Sequence, residues 1–375
     1  MADKRSAYRG CLLGLAVGDA MGYTVDGSTW PQIQADYGPN GLLGYDLVNG
    51  YADVTSYTQL AAFSCNGMLL GLTRGQMKGT MAPFVRYIDL AVREWAEGQR
   101  YRVNPGRTHC WAGQVRELCA RRCMDTLMLD TLSRKRLGSL EEPANHFCSP
   151  GGLTTAVPVG LFSALGRVPR EEADRLGAEA VALTHGNPSA FISGAVVTHL
   201  IGSLILDPAE PLEPKVQAAI DAVQARFGRE YPQTVEIWEL LRLAMTLAHS
   251  ENVSQVEAME QLRCRTAAEA LAGAVYACLS SHGDFDAAMI TAVNHSGCSA
   301  AVGALAGAML GTALGEEALP EFYLECLQPA EHLRTLADDL VQGCPMNLGS
   351  CMFDDDWDQK YIQGRPVERT GWEEA

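Results

Sequence analysis

The sequence predicts an all-α fold of many packed helices, and three observations carry that reading. Apolar residues recur at helical spacing, as at Phe84, Tyr87, Ile88, Ala91, Val92 and Trp95. The chain is 47% hydrophobic but only 7% aromatic, an Ala/Gly/Leu-rich balance that suits helix packing better than a sheet sandwich. Two apolar segments also carry glycine every four residues: Gly10, Gly14 and Gly18 in one, and Gly303, Gly307, Gly311 and Gly315 in the other. On a 3.6-residue period that spacing makes one nearly bare helix face. Each interior glycine costs a helix about 1 kcal/mol relative to alanine. A helix that keeps several needs another backbone close by, and the two bare faces suit packing against each other.

Taken in order, residues 7–22 read as a helix. Asp19 lies near its end in apolar surroundings, and a C-terminal turn or a cap to a neighbouring helix accounts for it. Residues 23–52 are rich in Gly and Pro and read as loop, with Asp26 close to any site the first helix forms. A helical pattern runs from Gln59 to Leu72, with Thr55 or Ser56 as its N-cap. Helices follow over 80–98, 112–123 and 126–132, with a turn around Pro105-Gly106. Residues 142–152 form a polar Gly/Pro loop that runs into a buried stretch, 153–161, a place where an all-helical protein can keep a ligand. The helix over 171–184 stops at His185-Gly-Asn-Pro188, where His185 reads first as a terminus cap and second as a ligand or base.

A helix over 189–206 comes next. Less apolar helices at 213–227, 234–248 and 254–262 form an outer layer, and a strongly apolar helix covers 266–280. The helix from Asp284 to Val293 leads into Asn294–Ala300, a loop of small polar residues at the start of the second glycine-faced helix. A loop so placed is delivered to a pocket; tight packing without a site is the plain alternative. Two short helices end near Leu340. Beyond them Asp354-Asp355-Asp356 can bind a hard cation, but a solvated surface or tail is the simpler reading.

The formal charge is -16, from 29 basic and 45 acidic residues, and no Lys/Arg block is long enough to track a phosphate backbone. Nucleic acid is therefore not an expected partner. The apolar run Cys11–Gly18 is too short to span a bilayer, so no membrane association is expected. The 12 cysteines are scattered through apolar segments without a CxxC, which fits buried thiols in a reducing, cytoplasmic compartment.

The segment Gly10-Cys-Leu-Leu-Gly-Leu-Ala-Val-Gly-Asp-Ala-Met-Gly22 resembles the opening helix of the ADP-ribosylglycohydrolase family. The resemblance continues in order. Thr55-Ser-Tyr-Thr-Gln59 stands where the family has a Thr-Asp-Asp-Thr-Gln type motif. Asn145 through Pro158 resembles its central glycine-rich loop. Leu183-Thr-His-Gly-Asn-Pro188 resembles its His/Pro turn, and Asn294–Gly311 its C-terminal metal loop and helix. The resemblance implies a single-domain orthogonal bundle of many helices over residues 1–345; the polar residues 346–375 beyond it read as an extension packed on it or partly mobile. It also implies a cleft for ADP-ribose holding two Mg²⁺ ions.

The departures fall on the metal ligands. The family's carboxylate positions correspond to Ser56, Tyr57, Cys298 and Ala300, so no metal is expected here. Neutral side chains cannot offset the roughly four positive charges of a dinuclear centre, and without it the Lewis acid and the metal-positioned water are missing. The family's Met-Arg pair corresponds to Thr154 and Thr155. Asp19 and Asp26 remain, Asp26 roughly where active relatives have Glu, and Asp53 lies two residues before the motif.

The expected cleft is thus lined by Thr55, Ser56, Tyr57, Asn145, Gly151, Gly152, Thr154, Thr155, His185, His295, Ser296, Gly297, Cys298 and Ser299. Three readings follow. One is a divergent family member that no longer runs the metal-dependent hydrolysis but keeps a site for ADP-ribose or another small ligand. Another is an active hydrolase of an N- or O-glycosidic ADP-ribose linkage, using Asp19, Asp26, Asp53 or a His295–Cys298 pair. The third is a non-enzymatic interaction or structural protein whose partner the sequence does not name.

Overall fold

The computed structural model describes residues 4–100, 108–123, 125–136, 138–347, 349 and 353–367. Through them run α1 (Lys4–Val25), α2 (Trp30–Tyr37), α3 (Ser56–Lys78), α4 (Phe84–Arg100), α5 (Thr126–Leu132), α6 (Val157–Ala164), α7 (Arg170–Ala182), α8 (Pro188–Leu206) and α9 (Leu212–Phe227). The series continues with α10 (Val235–Ala248), α11 (Gln255–Leu262), α12 (Ala267–Ser280), α13 (Phe285–Val293), α14 (Ser299–Leu314), α15 (Glu321–Glu325), α16 (Ala330–Gln342) and α17 (Asp355–Tyr361). Among the described residues there is no β-strand, only two isolated bridges, Val48 with Tyr51 and Ala52 with Leu327. The buried apolar side chains join into one cluster, so the chain is an all-helical bundle around a common core.

The two glycine ladders are the axis of that core. Helices α1 and α14 run antiparallel, with Gly10 against Gly311, Gly14 against Gly307 and Gly18 against Gly303. A β carbon on Gly14 would lie 2.2 Å from the Gly307 carbonyl oxygen, so backbone meets backbone with no side chain between. Gly315 differs from the other three: it lies beyond the last turn with φ 85 and ends α14, with its carbonyl carbon still against Gly10. This register brings the end of α1 to the start of α14, which positions the site described below.

The helix expected over 112–123 does not form. Only a single 3₁₀ turn, Trp111–Gln114, is present. The reason is that side chains of α3 and α4 take up the backbone groups of this segment. Asn66 accepts from Ala112 N at 3.1 Å, Gln59 donates to the carbonyls of Ala120 and Glu117, and Gln99 bridges Ala120 O and Arg122 N.

The insert at 23–52 is not all loop, because α2 lies inside it. Pro31 sits in its first turn, Gln32 reaches back to accept from Thr29 N at 2.8 Å, and Gly38 follows its end. Two of the residues that suggested loop, Pro31 and Gly38, are the helix's boundaries.

In the C-terminal segment, Asp354 accepts from Trp357 N and caps α17. Trp357 and Tyr361 are buried: Trp357 donates to Thr73 on α3 at 2.8 Å, and Tyr361 to Asp339 on α16 at 2.6 Å. Trp372 lies outside the described residues, as does the Pro105-Gly106 turn. Helix α8 is long and apolar enough to cross a membrane by length and composition alone, yet 89% of that window is buried inside the bundle. Its apolarity is accounted for by its place in the core.

Candidate functional site

Asp19 organises the first part of the site. It is fully buried in α1 and accepts four hydrogen bonds, from Thr55 N (2.8 Å), Thr55 Oγ1 (2.6 Å), Thr58 N (3.0 Å) and Thr58 Oγ1 (2.6 Å). Burial pushes its carboxyl above the usual range, against the pull of those four donors. It therefore caps the start of α3 from a neighbouring helix, with its acceptor capacity already spent.

Ser56 and Tyr57 follow in the first turn of α3, both buried. The Tyr57 carbonyl accepts from Thr154 Oγ1 at 2.7 Å, which ties α3 to the 3₁₀ segment Pro150–Ala156. Its phenol is only 4% exposed with the rest of the side chain, and its hydroxyl makes no hydrogen bond among the described residues. Burial raises the phenol pKa well above its usual value, and Asp26, Cys298, Asp19 and Asp125 lie close enough to add to the shift. Asp26 lies just past α1 and accepts from Ala300 N at the start of α14, at 3.0 Å. Burial raises its carboxyl to about 6, opposed by the Ala300 and Ser299 amides and reinforced by Asp19.

Beside Tyr57 stands a second cluster. Ser149 Oγ donates to Asp125 Oδ2 at 2.6 Å and lies 2.9 Å from His185 Nε2, which is itself 3.3 Å from Asp125 Oδ2. Thr184 Oγ1 holds the other ring nitrogen at 2.8 Å. Burial alone would raise Asp125, but His185, the Ser149 hydroxyl and the Met128 amide outweigh it and hold the carboxyl at about 2. The glycines of the loop let the backbone approach this ring: a β carbon on Gly152 would lie 2.7 Å from His185 Nδ1. Asn145 clamps the loop from behind, donating to Thr131 Oγ1 and Thr184 O and accepting from Phe147 N and Gly186 N. Thr155 turns back to Gly152 O.

The third side is the loop into α14. His295 is buried, with Nε2 donating to Ala292 O and Nδ1 accepting from Gly297 N, both at 2.9 Å. Desolvation lowers it to about 4, so it is a neutral core histidine. Ser296 accepts from Trp30 N and Ser299 donates to His295 O. Gly297 is packed against the carbonyls of Arg263 and Cys264. The Cys298 thiol donates to Arg265 O, and burial pushes it up to about 12. His295 and Cys298 thus do not form the reactive pair that their spacing suggested, because both ring nitrogens are already held by backbone. Asp53 lies elsewhere, ion-paired to Arg122 at 2.7 Å beside a cavity of about 280 Å³.

Asp125 and Ser149 were passed over in the sequence. Asp125 also caps α5, since it accepts from Met128 N at 3.1 Å. Its partner His185 is 60 residues away and no local pattern links them.

The residues at the four metal-carboxylate positions do not fit a dinuclear magnesium centre. Ser56, Tyr57, Cys298 and Ala300 offer no anionic oxygen there, and Asp19 has its acceptors filled. Among the described residues no three His, Cys, Asp or Glu side chains are grouped so as to hold a metal ion. The arrangement instead presents Asp26, the Tyr57 hydroxyl, Asp125 and Ser149, a set suited to hydrogen bonding with a polar ligand.

Curated proteins include no match to this chain. Among solved structures, one titled "ADP-ribosylglycohydrolase-related protein complex" is similar, with a TM-score of 0.54 and 19% identity over 91% of this chain and 99% of that one. At that identity the likeness speaks for the fold. The family model for ADP-ribosylglycohydrolase matches residues 1–348. With the paired glycine helices, the central loop and the His185 turn arranged as described, the chain belongs to the ADP-ribosylglycohydrolase family.

Proposed function

We propose that this chain does not carry out the family's dinuclear-magnesium hydrolysis and keeps the cleft as a binding site for ADP-ribose or a related small ligand. One observation carries the reading: the buried phenol of Tyr57 stands at a metal-carboxylate position, close to Asp26, Cys298 and Asp125. A hydroxyl-rich ligand such as a ribosyl group supplies partners for that phenol and for the two carboxylates. The test is metal analysis of the purified protein together with ADP-ribose titration with and without Mg²⁺. Magnesium-independent binding without turnover supports the proposal. Two tightly bound Mg²⁺ ions, or rapid metal-dependent turnover, would overturn it.

A second reading, an active hydrolase with a non-standard site, is favoured by the split between Asp26 at about 6 and Asp125 at about 2. Two carboxyl groups pushed apart in this way divide naturally into a proton donor and an ionised partner. Asp26 would protonate the leaving group as the glycosidic bond breaks, while the charged Asp125 takes a proton from the water that attacks the ribosyl carbon. Chelator-resistant release of ADP-ribose, lost in both Asp26→Asn and Asp125→Asn, would establish this reading in place of the first.

A further inference from the structure

Arg265 is a cation at the edge of the cleft to which the site described above gives no role. It stands in the turn between α11 and α12, and the loop into α14 is fastened to that turn. Cys298 N donates to Cys264 O at 2.8 Å, the Cys298 thiol donates to Arg265 O at 3.7 Å, and Gly297 packs on the carbonyls of Arg263 and Cys264. Arg263 and Cys264 are consecutive non-glycine residues at φ 59 and φ 54, a costly left-handed pair that persists only where its surroundings hold it. Glu269 holds the turn from the other side, accepting from Arg265 N at 3.0 Å and Thr266 N at 3.1 Å. The main chain of Arg265 is thus fixed by two elements, while the residue itself is exposed. Arg263 is ion-paired to Glu269, but the Arg265 guanidinium forms no ion pair among the described residues. Its charge reaches the cleft: at the Cys298 thiol, Asp26 and Arg265 act in opposite senses, ahead of Asp125 and Glu269.

We infer that Arg265 binds the diphosphate of the ligand, an assignment that rests on the cleft taking ADP-ribose. Asp26 and Asp125 lie beside Tyr57, and carboxylates repel phosphate but accept hydrogen bonds from ribosyl hydroxyls. Cys298 is close to both Tyr57 and Arg265, so a ligand with its ribosyl end at Tyr57 carries its phosphates to the Arg265 side. The amides at the start of α12 are not free to take the anion. Arg265 N and Thr266 N are spent on Glu269 Oε2, Glu269 N on Thr266 Oγ1, and Ala267 N on Cys148 O. The contact falls to the side chain, whose planar guanidinium matches two phosphate oxygens.

The experiment is calorimetric titration of the full chain with ADP-ribose in the presence of chelator, at about 50 and about 200 mM NaCl. The parent is expected to bind more weakly at the higher salt. Arg265→Gln should weaken binding about tenfold or more at low salt and reduce the salt dependence. Arg265→Lys keeps the charge without the fork and should recover part of the loss. Thermal unfolding without ligand should be the same in all three proteins, because the side chain is exposed and forms no ion pair. Parent binding that Arg265→Gln leaves unchanged would overturn this assignment while the ADP-ribose reading stands. Arg265→Lys as weak as Arg265→Gln, or parent binding indifferent to salt, would overturn it as well, since the loss would not be one of charge. A parent that binds no ADP-ribose would overturn the reading of the cleft and this assignment with it.

Discussion

Gly14 and Gly307 stand backbone to backbone, and a β carbon added to Gly307 would lie 1.9 Å from the Gly14 carbonyl oxygen. The neighbouring atom is main chain and has no rotamer by which to move aside, so the helices themselves must separate. Gly307→Ala gains about 1 kcal/mol of helix propensity but incurs an overpacking penalty of about 3 kcal/mol or more. Net destabilisation of about 2 kcal/mol or more is expected, read as a lower denaturant midpoint. An unchanged midpoint would mean that α1 and α14 are not in this contact.

This axis was legible in the sequence because glycine spacing on a fixed period is a local signal with one physical cause. The capping role of Asp19 was legible for a similar reason, since a lone acid in an apolar helix needs donors nearby. What was not legible depended on residues far apart in the chain. Gln59, Asn66 and Gln99 claim the backbone of 112–123 from helices earlier in the chain, so an apparently helical pattern gave way to a single turn. The Asp125–His185 contact was hidden for the same reason. The placement of Tyr57 at a lost carboxylate position could be read by motif comparison, but its burial beside Asp26 and Asp125 could not.

Asp26 gives the first pH prediction. Its carboxyl is raised from 3.8 to about 6 in the folded chain. A raised acid contributes stability that is fully present below about 3.8 and is lost as pH rises through about 6. The loss has an upper limit of about 3 kcal/mol. Asp26→Asn should therefore match the parent near pH 4 and exceed its stability by about 1–3 kcal/mol at pH 8. Urea unfolding at the two pH values measures it; a variant less stable than the parent at pH 8 would count against the buried placement.

Asp125 should behave in the opposite way. Its carboxyl is lowered from 3.8 to about 2, so its contribution is present above about 3.8 and is lost only as pH falls through about 2. Asp125→Asn keeps a residue able to cap α5 but removes the charge beside buried His185. A cost of about 2 kcal/mol is expected at pH 5, shrinking as pH falls through about 2. A gap already closed at pH 5 would show that the carboxylate is not held by the Ser149–His185 cluster.

Cys298 should be a poor nucleophile. With its thiol near 12, the thiolate at pH 8 is on the order of one part in 10⁴. Alkylation by iodoacetamide at pH 8 should be far slower at Cys298 than at a model thiol, as followed by peptide mass spectrometry. Cys298→Ser should leave any turnover unchanged. Fast, selective labelling of Cys298 would restore it as a candidate reactive group.

The four substituted positions can be tested by reversal. Ser56→Asp, Tyr57→Asp, Cys298→Asp and Ala300→Asp made together put four carboxylates back at the start of α3 and the start of α14. Without a cation they repel one another and Asp26, so the quadruple variant should be less stable than the parent in the presence of chelator. With Mg²⁺ that repulsion becomes ligation, and ligand-linked stabilisation of about 2.7 kcal/mol is expected at a hundredfold excess over the dissociation constant. The parent should show no magnesium-dependent shift in thermal unfolding. The sign of the difference matters most: stabilisation of the variant alone by Mg²⁺ would locate the loss of metal binding in these four side chains. Stabilisation of the parent by Mg²⁺ to the same extent would place a metal site somewhere the substituted positions do not reach.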